Sequence, residues 1–147
     1  MKINYLLLPN GEKLIPYYTH DYKGIELEGV YYFIDGFQDY IRTSHPNLIK
    51  NSSINAVIST IREEFKWTSI YNKDLSKRDK PITRILKDLD DEHLESIIIY
   101  LQQRILIVKN QEGMTHPTLQ MKFTIEIMKA EIRYRKKNEK KEENKTR

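Results

Sequence analysis

The stretch DDEHLESIIIYLQQR, residues 90–104, contains one of the four histidines of this chain, at the start of a helical pattern. An imidazole there can act as a base, a metal ligand or a packing residue. A metal site would favour a second ligand four residues on, and that position is Ile97. Asp90 and Glu92 are better explained as acids at a helix start. We therefore interpret His93 as structural, and we predict no metal ion and no cofactor.

Two further histidines begin similar tripeptides, His45 in HPN and His116 in HPT. Two separated His-x-Thr/Ser motifs are typical of two-histidine phosphoesterases, in which both imidazoles do acid–base work on a phosphate. The chain has one match and one near miss, and each histidine precedes a proline, a pattern that helix and loop starts also produce. This enzyme class is the third functional hypothesis.

The composition excludes several other chemistries. The 147 residues contain no cysteine, which rules out disulfides, thiolate catalysis and cysteine-based zinc sites and fits a reducing cytoplasm. The five glycines are scattered singly, so a Gly-rich phosphate loop is missing, and no serine lies in a recognisable nucleophile turn. A membrane-spanning helix needs about 20 consecutive apolar residues, and no stretch of the sequence is close to that length. The N-terminal apolar run is also too short for a signal peptide. We expect a soluble protein without a membrane partner.

The net charge of +4 is concentrated at the C-terminal end. Residues 133–147 contain eight Lys/Arg and three Asp/Glu, whereas the other 132 residues contain 17 and 18, so the body is nearly neutral. Arg133, Arg135, Lys136 and Lys137 are candidate phosphate-binding residues. A short Lys/Glu-rich end is also a common solubilising feature, and both interpretations stay open.

The sequence contains ten tyrosines, and a second candidate surface is formed by five in the N-terminal, sheet-rich part: Tyr17, Tyr18, Tyr22, Tyr31 and Tyr32. Because alternate residues of a strand face opposite sides, we expect at least one tyrosine of each adjacent pair to be exposed. Tyr18 and Tyr22, beside Arg42 or Arg62, could stack a base and hold a phosphate. The alternative is that the tyrosines simply cover a face of the sheet.

The first 41 residues are predicted to be mostly strands. Segments 2–8 and 13–18 flank Asn10-Gly11, which favours a two-residue hairpin turn because both residue types tolerate positive φ. Pro16 makes the second strand an edge strand.

Residues 25–34 are a third strand candidate, with Gly29 as a bulge. Asp35-Gly36 is predicted to be a turn, after which residues 37–41 fit one short helical face.

The next elements are a helix and two strands. Ser52 or Ser53 caps a helix with one apolar stripe, formed by Ile54, Val57, Ile58, Ile61 and Phe65. Residues 65–71 and 81–86 have strand patterns and enclose a charged loop.

The C-terminal third is predicted to be helical. Asp90 caps a helix with a heptad-like seam at Leu94, Ile98, Leu101, Ile105 and Val108. Thr115 caps a second helix, from about residue 117 to 137, with Pro117 in its first turn. Two apolar rows lie on this helix, Met121/Ile125/Met128/Ile132 and Phe123/Ile127/Ala130/Tyr134. Because the two rows are wider than one partner helix needs, we expect packing on the sheet and a homo-oligomer.

Residues 67–135 resemble a group of small bacteriophage accessory proteins of unknown function. In that group a Trp-Thr strand and a second strand precede an acidic-capped His-Leu helix and a helix with Leu, Glu and Arg on its turns. The matching residues are Trp67-Thr68, Ile82 to Leu86, His93-Leu94, Ile98, Leu101, Leu119, Glu126 or Glu131, and Arg133 or Arg135. The glycine usual after the Trp strand is missing, and a longer charged loop replaces it. In architecture alone, the chain also resembles phage sponges that sequester cyclic nucleotide signals of bacterial immunity.

These observations predict an α+β protein: a small N-terminal antiparallel sheet with one or two short helices, followed by a C-terminal helical hairpin. We expect a single domain over residues 1–137, with a sheet-rich part at 1–88 and the hairpin at 90–137. Residues 138–147 are expected to be a disordered charged tail.

The resemblance implies a non-enzymatic, phage-type accessory protein in the cytoplasm of a bacterial host cell. Its function would be to engage or sequester a host protein or a nucleotide signal, in host takeover or anti-defence. The alternative is a nucleic-acid-associated protein that uses the basic C-terminal helix end and exposed tyrosines.

Overall fold

The computed structural model describes residues 1–71, 76–109 and 116–145 and confirms the α+β class. The elements are β1 (Lys2–Leu7), β2 (Lys13–Leu14), β3 (Lys23–Leu27), β4 (Val30–Phe37), β5 (Tyr40–Thr43), β6 (Ile49–Ser53), α1 (Ile54–Glu64), β7 (Lys66–Tyr71), β8 (Lys77–Ile85), α2 (Asp91–Lys109) and α3 (His116–Lys145). The chain divides into two compact units, Met1–Val57 and Ile58–Arg147. The single domain over residues 1–137 stays a prediction.

The first unit contains two three-stranded antiparallel sheets, in the orders β2-β1-β6 and β3-β4-β5. Its core is a cluster of the buried side chains Leu6, Leu8, Tyr32 and Ile34. Because successive residues of a strand alternate between faces, the inward Tyr32 and Ile34 place Tyr31 and Phe33 on the opposite face of β4. That alternation creates the aromatic surface of this unit.

A side-chain amide replaces a missing strand beside β1. Strand β2 ends at Leu14, two residues before Pro16, so the peptide groups of Asn4 lie beyond its end. Gln38 Oε1 accepts the Asn4 N–H at 2.7 Å, and Gln38 Nε2 donates to the Asn4 carbonyl at 3.0 Å and to the Pro16 carbonyl at 3.3 Å. The Gln38 amide thus satisfies both backbone groups that a longer β2 would have paired.

The β1–β2 turn differs from the predicted two-residue turn at Asn10-Gly11. Gly11 N–H donates to the Leu8 carbonyl and Leu8 N–H donates to the Glu12 carbonyl, both at 2.9 Å, which leaves a three-residue loop at 9–11. Gly11 has a φ of +87° at its end. In such a three-residue loop a turn is followed by a glycine in the left-handed region. The prediction of positive φ at Gly11 is therefore confirmed, whereas the predicted loop length is wrong.

The predicted single strand over residues 25–34 is wrong, because it is a hairpin. Leu27 pairs with Val30, and the two residues between them have positive φ, 50° at Glu28 and 82° at Gly29. Such a turn usually carries Asn or Asp at its first position. Glu28 gives no such signal, so Gly29 alone suggested a bulge.

The predicted turn at Asp35-Gly36 and the short helix at 37–41 are also wrong. Asp35 and Gly36 both lie inside β4. Because Phe37 pairs with Tyr40, the turn is formed by residues 38–39, three residues later than predicted. Gly36 has a φ of +111°, and a Cβ atom there would lie 2.1 Å from the Tyr40 carbonyl oxygen. The glycine therefore serves a close backbone approach within the strand pair rather than a turn.

Helix α1 begins where the sequence predicted. Ser53 Oγ accepts the backbone N–H of Asn55 at 3.3 Å, as a capping residue does. All members of the predicted apolar stripe are buried: Ile54, Val57, Ile58, Ile61 and Phe65.

In the second unit, β7 and β8 pair antiparallel, and Asp90 Oδ1 accepts the His93 N–H at 2.7 Å, which confirms the predicted cap of α2. The His93 ring Nε2 lies 3.2 Å from the hydroxyl of Ser69 on β7. His93 therefore joins the first turn of α2 to the strand pair, in agreement with a structural role.

Helix α2 packs against α3. The buried seam of α2 uses Ile97 where Ile98 was expected, together with Leu94, Leu101, Ile105 and Val108. Both predicted rows of α3 are buried or half-buried in this single chain, with Ile127 and Met128 fully buried. Packing within one chain therefore accounts for the width of these rows, and the homo-oligomer stays a prediction.

Helix α3 continues to Lys145, so its predicted end at residue 137 and the disordered tail that followed are wrong over residues 138–145. Lys and Glu are strong helix formers, and neither Gly nor Pro interrupts this segment. The predicted cap at Thr115 lies outside the described residues. Among the residues that are described, no helix combines the length and apolar character needed to cross a membrane.

The β3–β4 turn gives a stability prediction. Replacing Glu28 by Asn should stabilise the protein by about 0.5 kcal/mol, because Asn adopts positive φ more readily than Glu. The free energy of unfolding is measured by urea denaturation. Glu26→Asn is the matched control, since residue 26 lies in a strand and should not benefit. An unchanged or lower stability of Glu28→Asn would contradict the turn assignment.

Candidate functional site

An aromatic surface of the first unit, here called the tyrosine face, consists of Tyr22, Tyr31, Phe33, Asp35 and Arg42. Strand pairing places Gly24 opposite Phe33, with Tyr31 two residues away on β4. A Cβ atom on Gly24 would lie 2.0 Å from the Tyr31 hydroxyl oxygen, so the Tyr31 ring lies directly over the glycine. The absence of a side chain at residue 24 is what allows this ring to lie against the sheet.

The rings of the tyrosine face hold one another in place. The hydroxyl groups of Tyr22 and Tyr31 are hydrogen-bonded at 2.6 Å. The Tyr22 and Phe33 rings are nearly parallel, with an interplanar angle of 20° and centroids 5.8 Å apart. Even so, Tyr22 is 55% and Tyr31 50% exposed. The surface is therefore an ordered aromatic patch that faces solvent.

The hydrogen bond between the two hydroxyls also makes Tyr22 less acidic. The bond to Tyr31, followed by burial and by the nearby charge of Asp35, raises the pKa of Tyr22 above 10.0. The pKa of Tyr22 is higher in the folded state than in the unfolded state. The hydrogen bond therefore contributes its full stability at any pH below the unfolded-state pKa, and this contribution is lost as the pH rises through the folded-state pKa. The Tyr22 hydroxyl therefore remains a protonated hydrogen-bonding group at neutral pH.

An ion pair lies at one edge of the tyrosine face. Arg42 Nη2 donates to Asp35 Oδ2 at 2.8 Å across the β4–β5 pair. The Arg42 guanidinium is the main cause that lowers the pKa of the Asp35 carboxyl, and the charge of His20 contributes to it. His20 has a φ of 61°, in the left-handed region. The edge thus offers donors and an acceptor, and Arg42 is already neutralised by its neighbour.

Tyr18, the other predicted site residue in this region, packs elsewhere. Its ring meets the buried Tyr17 ring edge-on, with centroids 6.3 Å apart. Lys23 Nζ lies 3.9 Å from the centroid of the same Tyr17 ring. Tyr18 thus belongs to the contacts of the preceding turn.

Two predicted phosphate-binding arginines of the second unit are engaged by a buried carboxylate. Glu131 is 0% exposed. Arg62 donates to it from Nε at 2.9 Å and from Nη2 at 3.1 Å, and its guanidinium carbon lies 4.4 Å from the centroid of the Tyr134 ring. The bond to Glu131 is the main cause that raises the pKa of Arg62.

Arg135 completes this cluster from the other side of the carboxylate. Its Nε donates to Glu131 at 2.7 Å, and its Nη1 donates to Asp91 at 2.9 Å. Its Nη2 donates to the carbonyls of Leu86 and Lys87 at 3.3 and 3.2 Å. These bonds occupy donors that a phosphate would need, so Arg62 and Arg135 act as structural cations of this unit.

Five other cations of α3 form what is here called the basic stripe: Arg133, Lys136, Lys137, Lys140 and Lys141. All five side chains are exposed. Their spacing of three, four, seven and eight residues from Arg133 places them on one side of the helix. Glu139 and Glu142 fall on the opposite side by the same geometry. The extension of α3 beyond residue 137 is what aligns these charges.

Of the two histidines of the phosphoesterase hypothesis, the structure describes the side chain of His45. The His45 ring stacks on the Tyr32 ring, with centroids 4.3 Å apart, and its Nδ1 lies 2.6 Å from Ser44 Oγ. Ser44 Oγ also accepts the Phe33 N–H at 2.9 Å. The side chain of His116 lies outside the described part, so this hypothesis stays a prediction.

Sequence reasoning missed Phe33, Asp35 and Glu131. The first two share a face with Tyr31 by simple alternation, and they would have been found once the turn at Glu28-Gly29 was recognised. Glu131 has a local partner in Arg135, four residues on, but a pair at this spacing is typical of exposed helix surfaces. Its burial depends on Arg62, which is 69 residues away. In the chain as described, no group of three or more acidic, His or Cys side chains could hold a metal ion.

Comparison with protein-family models, with curated proteins and with solved structures found no match to this chain. The resemblance of residues 67–135 to phage accessory proteins therefore stays a hypothesis.

The buried carboxylate gives a second stability prediction. Glu131→Gln keeps the size of the side chain but leaves two guanidinium groups without their shared counter-charge, and should cost about 3 kcal/mol. Urea denaturation measures this loss. Glu139→Gln on the exposed side of the same helix is the control and should change stability by less than about 0.5 kcal/mol. Equal effects of the two substitutions would show that the cluster does not stabilise the unit.

Proposed function

We propose that this chain is a non-enzymatic binding protein that engages a partner protein through the tyrosine face. The observation that carries the proposal is a pair of half-exposed tyrosines that are already ordered. Tyr and Arg are enriched among the residues that dominate the binding energy of protein interfaces. Rings that are held before binding also lose less conformational freedom when a partner covers them.

Shape and charge favour a protein over a phosphate-bearing ligand on this face. The outer side of the β3–β5 sheet carries Glu26 and Asp35 against Arg42, so it lacks the positive excess that a nucleic-acid backbone needs. A free nucleotide is usually held in a concave pocket, whereas this surface is the outer face of a sheet. A nucleotide signal therefore takes second place as the ligand of the tyrosine face.

The partner that we propose is a host factor in the cytoplasm of a bacterium, and the role is host takeover or anti-defence. This biological setting rests on the resemblance of residues 67–135 to phage accessory proteins. The tyrosine face supports the narrower part of the proposal, which is binding without catalysis.

The test compares proteins retained from bacterial extract by immobilised wild type and by three variants. Tyr22→Ala and Arg42→Ala should each reduce retention of the partner about tenfold or more, because Tyr22 supplies an exposed ring of the face and Arg42 supplies the donors at its edge. Tyr18→Ala is the matched control, since it removes an aromatic ring outside the tyrosine face. Retention must then be reproduced with the purified partner, and circular dichroism must show that all variants fold.

Two outcomes would contradict the proposal. In the first, the purified partner binds wild type and Tyr22→Ala equally well. In the second, a panel of mono-, di- and cyclic nucleotides binds wild type in calorimetry and this binding is lost in Tyr22→Ala, which would assign the face to a nucleotide.

A second candidate function is nucleic-acid binding by the basic stripe of α3. Its specific support is the alignment of five exposed cations along one side of a helix, with Glu139 and Glu142 opposite. Such a row can neutralise successive phosphates, and its affinity should fall steeply as salt rises. Sequence specificity is not implied, because backbone contacts alone carry no sequence information.

The second test titrates labelled single- and double-stranded DNA and RNA at two salt concentrations. Reversing Lys136, Lys137, Lys140 and Lys141 to Glu should abolish binding at low salt. The control reverses the charge on the opposite side with Glu139→Lys and Glu142→Lys, and should bind at least as well as wild type. No binding by wild type at low salt, or equal binding by the Lys-to-Glu variant, would refute this candidate.

A further inference from the structure

Helix α2 carries an apolar surface on the side away from its buried seam. Ile99, Tyr100, Leu106 and Ile107 are between 47% and 66% exposed. Ile99 and Leu106 are seven residues apart, as are Tyr100 and Ile107, so the four side chains form two parallel rows along two turns of the helix. Exposed apolar side chains clustered in this way mark an interaction surface rather than ordinary surface composition.

An acidic and a basic residue lie at opposite ends of α2, beside one of these rows. Glu95 and Lys109 are both exposed and lie two heptads apart, on the flank of the Ile99–Leu106 row that faces away from Tyr100 and Ile107. The acid lies toward the start of the helix and the base toward its end. A partner helix that complements this flank must present a base where α2 presents an acid.

We propose that the partner is a second copy of this chain, joined through an antiparallel α2–α2 contact. A two-fold axis at Gln102 and Gln103 brings the same flank of both copies together, as a symmetric dimer requires. Ile99 then lies opposite Leu106 of the other copy, and Tyr100 lies opposite Ile107. With nearly the same axis, Glu95 lies opposite Lys109, so one operation satisfies the apolar rows and the charges.

A parallel arrangement does not satisfy both. Its two-fold axis would run along the helices and bring opposite flanks of the two copies together, so Glu95 would lie on the other side of the pair from Lys109 and about 21 Å from it along the helix. The proposal is independent of the tyrosine face and of the basic stripe, because it uses neither surface. It also replaces the rows of α3, which are buried within one chain, as the basis for self-association.

The first experiment uses the absence of cysteine from this chain. Gln103→Cys places a thiol beside the two-fold axis, where the two copies should form a disulfide under mild oxidation. Ser96→Cys is the matched control, because residue 96 lies on the same side of α2. In the antiparallel dimer its two copies are about 20 Å apart along the axis and should not crosslink. Crosslinking of both variants would indicate a parallel pair and overturn the proposed geometry.

The second experiment measures the dimer dissociation constant by sedimentation. Leu106→Asp should raise this dissociation constant about tenfold or more. It should not change the thermal unfolding of the chain itself, because residue 106 is exposed in the single chain. Glu95→Lys and Lys109→Glu should each weaken the dimer, and the two together should restore it, because the swapped charges again face each other. Two results would overturn the proposal. One is a protein that is still monomeric at about 200 micromolar, and the other is a double variant that fails to restore association.

Discussion

The burial of one carboxylate, Glu131, is the constraint on which the second unit depends. Removing a carboxylate from water costs several kcal/mol, and only close counter-charges with good hydrogen bonds offset that cost. Arg62 and Arg135 supply both, and Arg135 also reaches Asp91 at the start of α2. Because these bonds are directional, they determine which sides of α1, α2 and α3 meet, whereas apolar side chains tolerate several alternative packings. The cluster therefore specifies the arrangement of the unit as well as stabilising it.

This constraint separates structural cations from those available to a partner. In the sequence, Arg62 lies apart from the basic end of the chain, and Arg135 lies within it, four residues after Glu131. That spacing is common on exposed helix surfaces, so it does not predict that Arg135 differs in role from Arg133 or Lys136. In the fold, the first two bind Glu131 and the other two face solvent on the basic stripe. Gln38 has a comparable structural role in the first unit. Its side-chain amide forms the hydrogen bonds with Asn4 that the short β2 does not reach. In both units a polar side chain, and not a longer regular element, completes the structure.

The features that the sequence predicted correctly are those set by local periodicity. Ser53 and Asp90 cap helices because their side-chain oxygens reach N–H groups a few residues away, and the stripe from Ile54 to Phe65 follows the helical repeat. The errors have local causes as well: Glu28 occupies a left-handed position that favours Asn, and Gly36 serves a close contact inside a strand. What no local rule could supply is the pairing of Arg62 with Glu131, because it depends on how distant elements pack. Likewise, the tyrosine face could be read only after the hairpin at Glu28-Gly29 was known.

The tyrosine face leaves a real alternative, which is that its rings only cover the sheet. The structure assigns that covering role to Tyr31, whose ring lies over Gly24 where a side chain is missing. Aromatic residues are known to protect glycines in strands in this way. Tyr22 has no glycine to cover: its ring lies against Phe33, its hydroxyl meets that of Tyr31, and more than half of it remains exposed. Loss of Tyr31 would therefore weaken both folding and binding, whereas loss of Tyr22 separates the two, because its contribution to the sheet is small and its exposed ring is available to a partner.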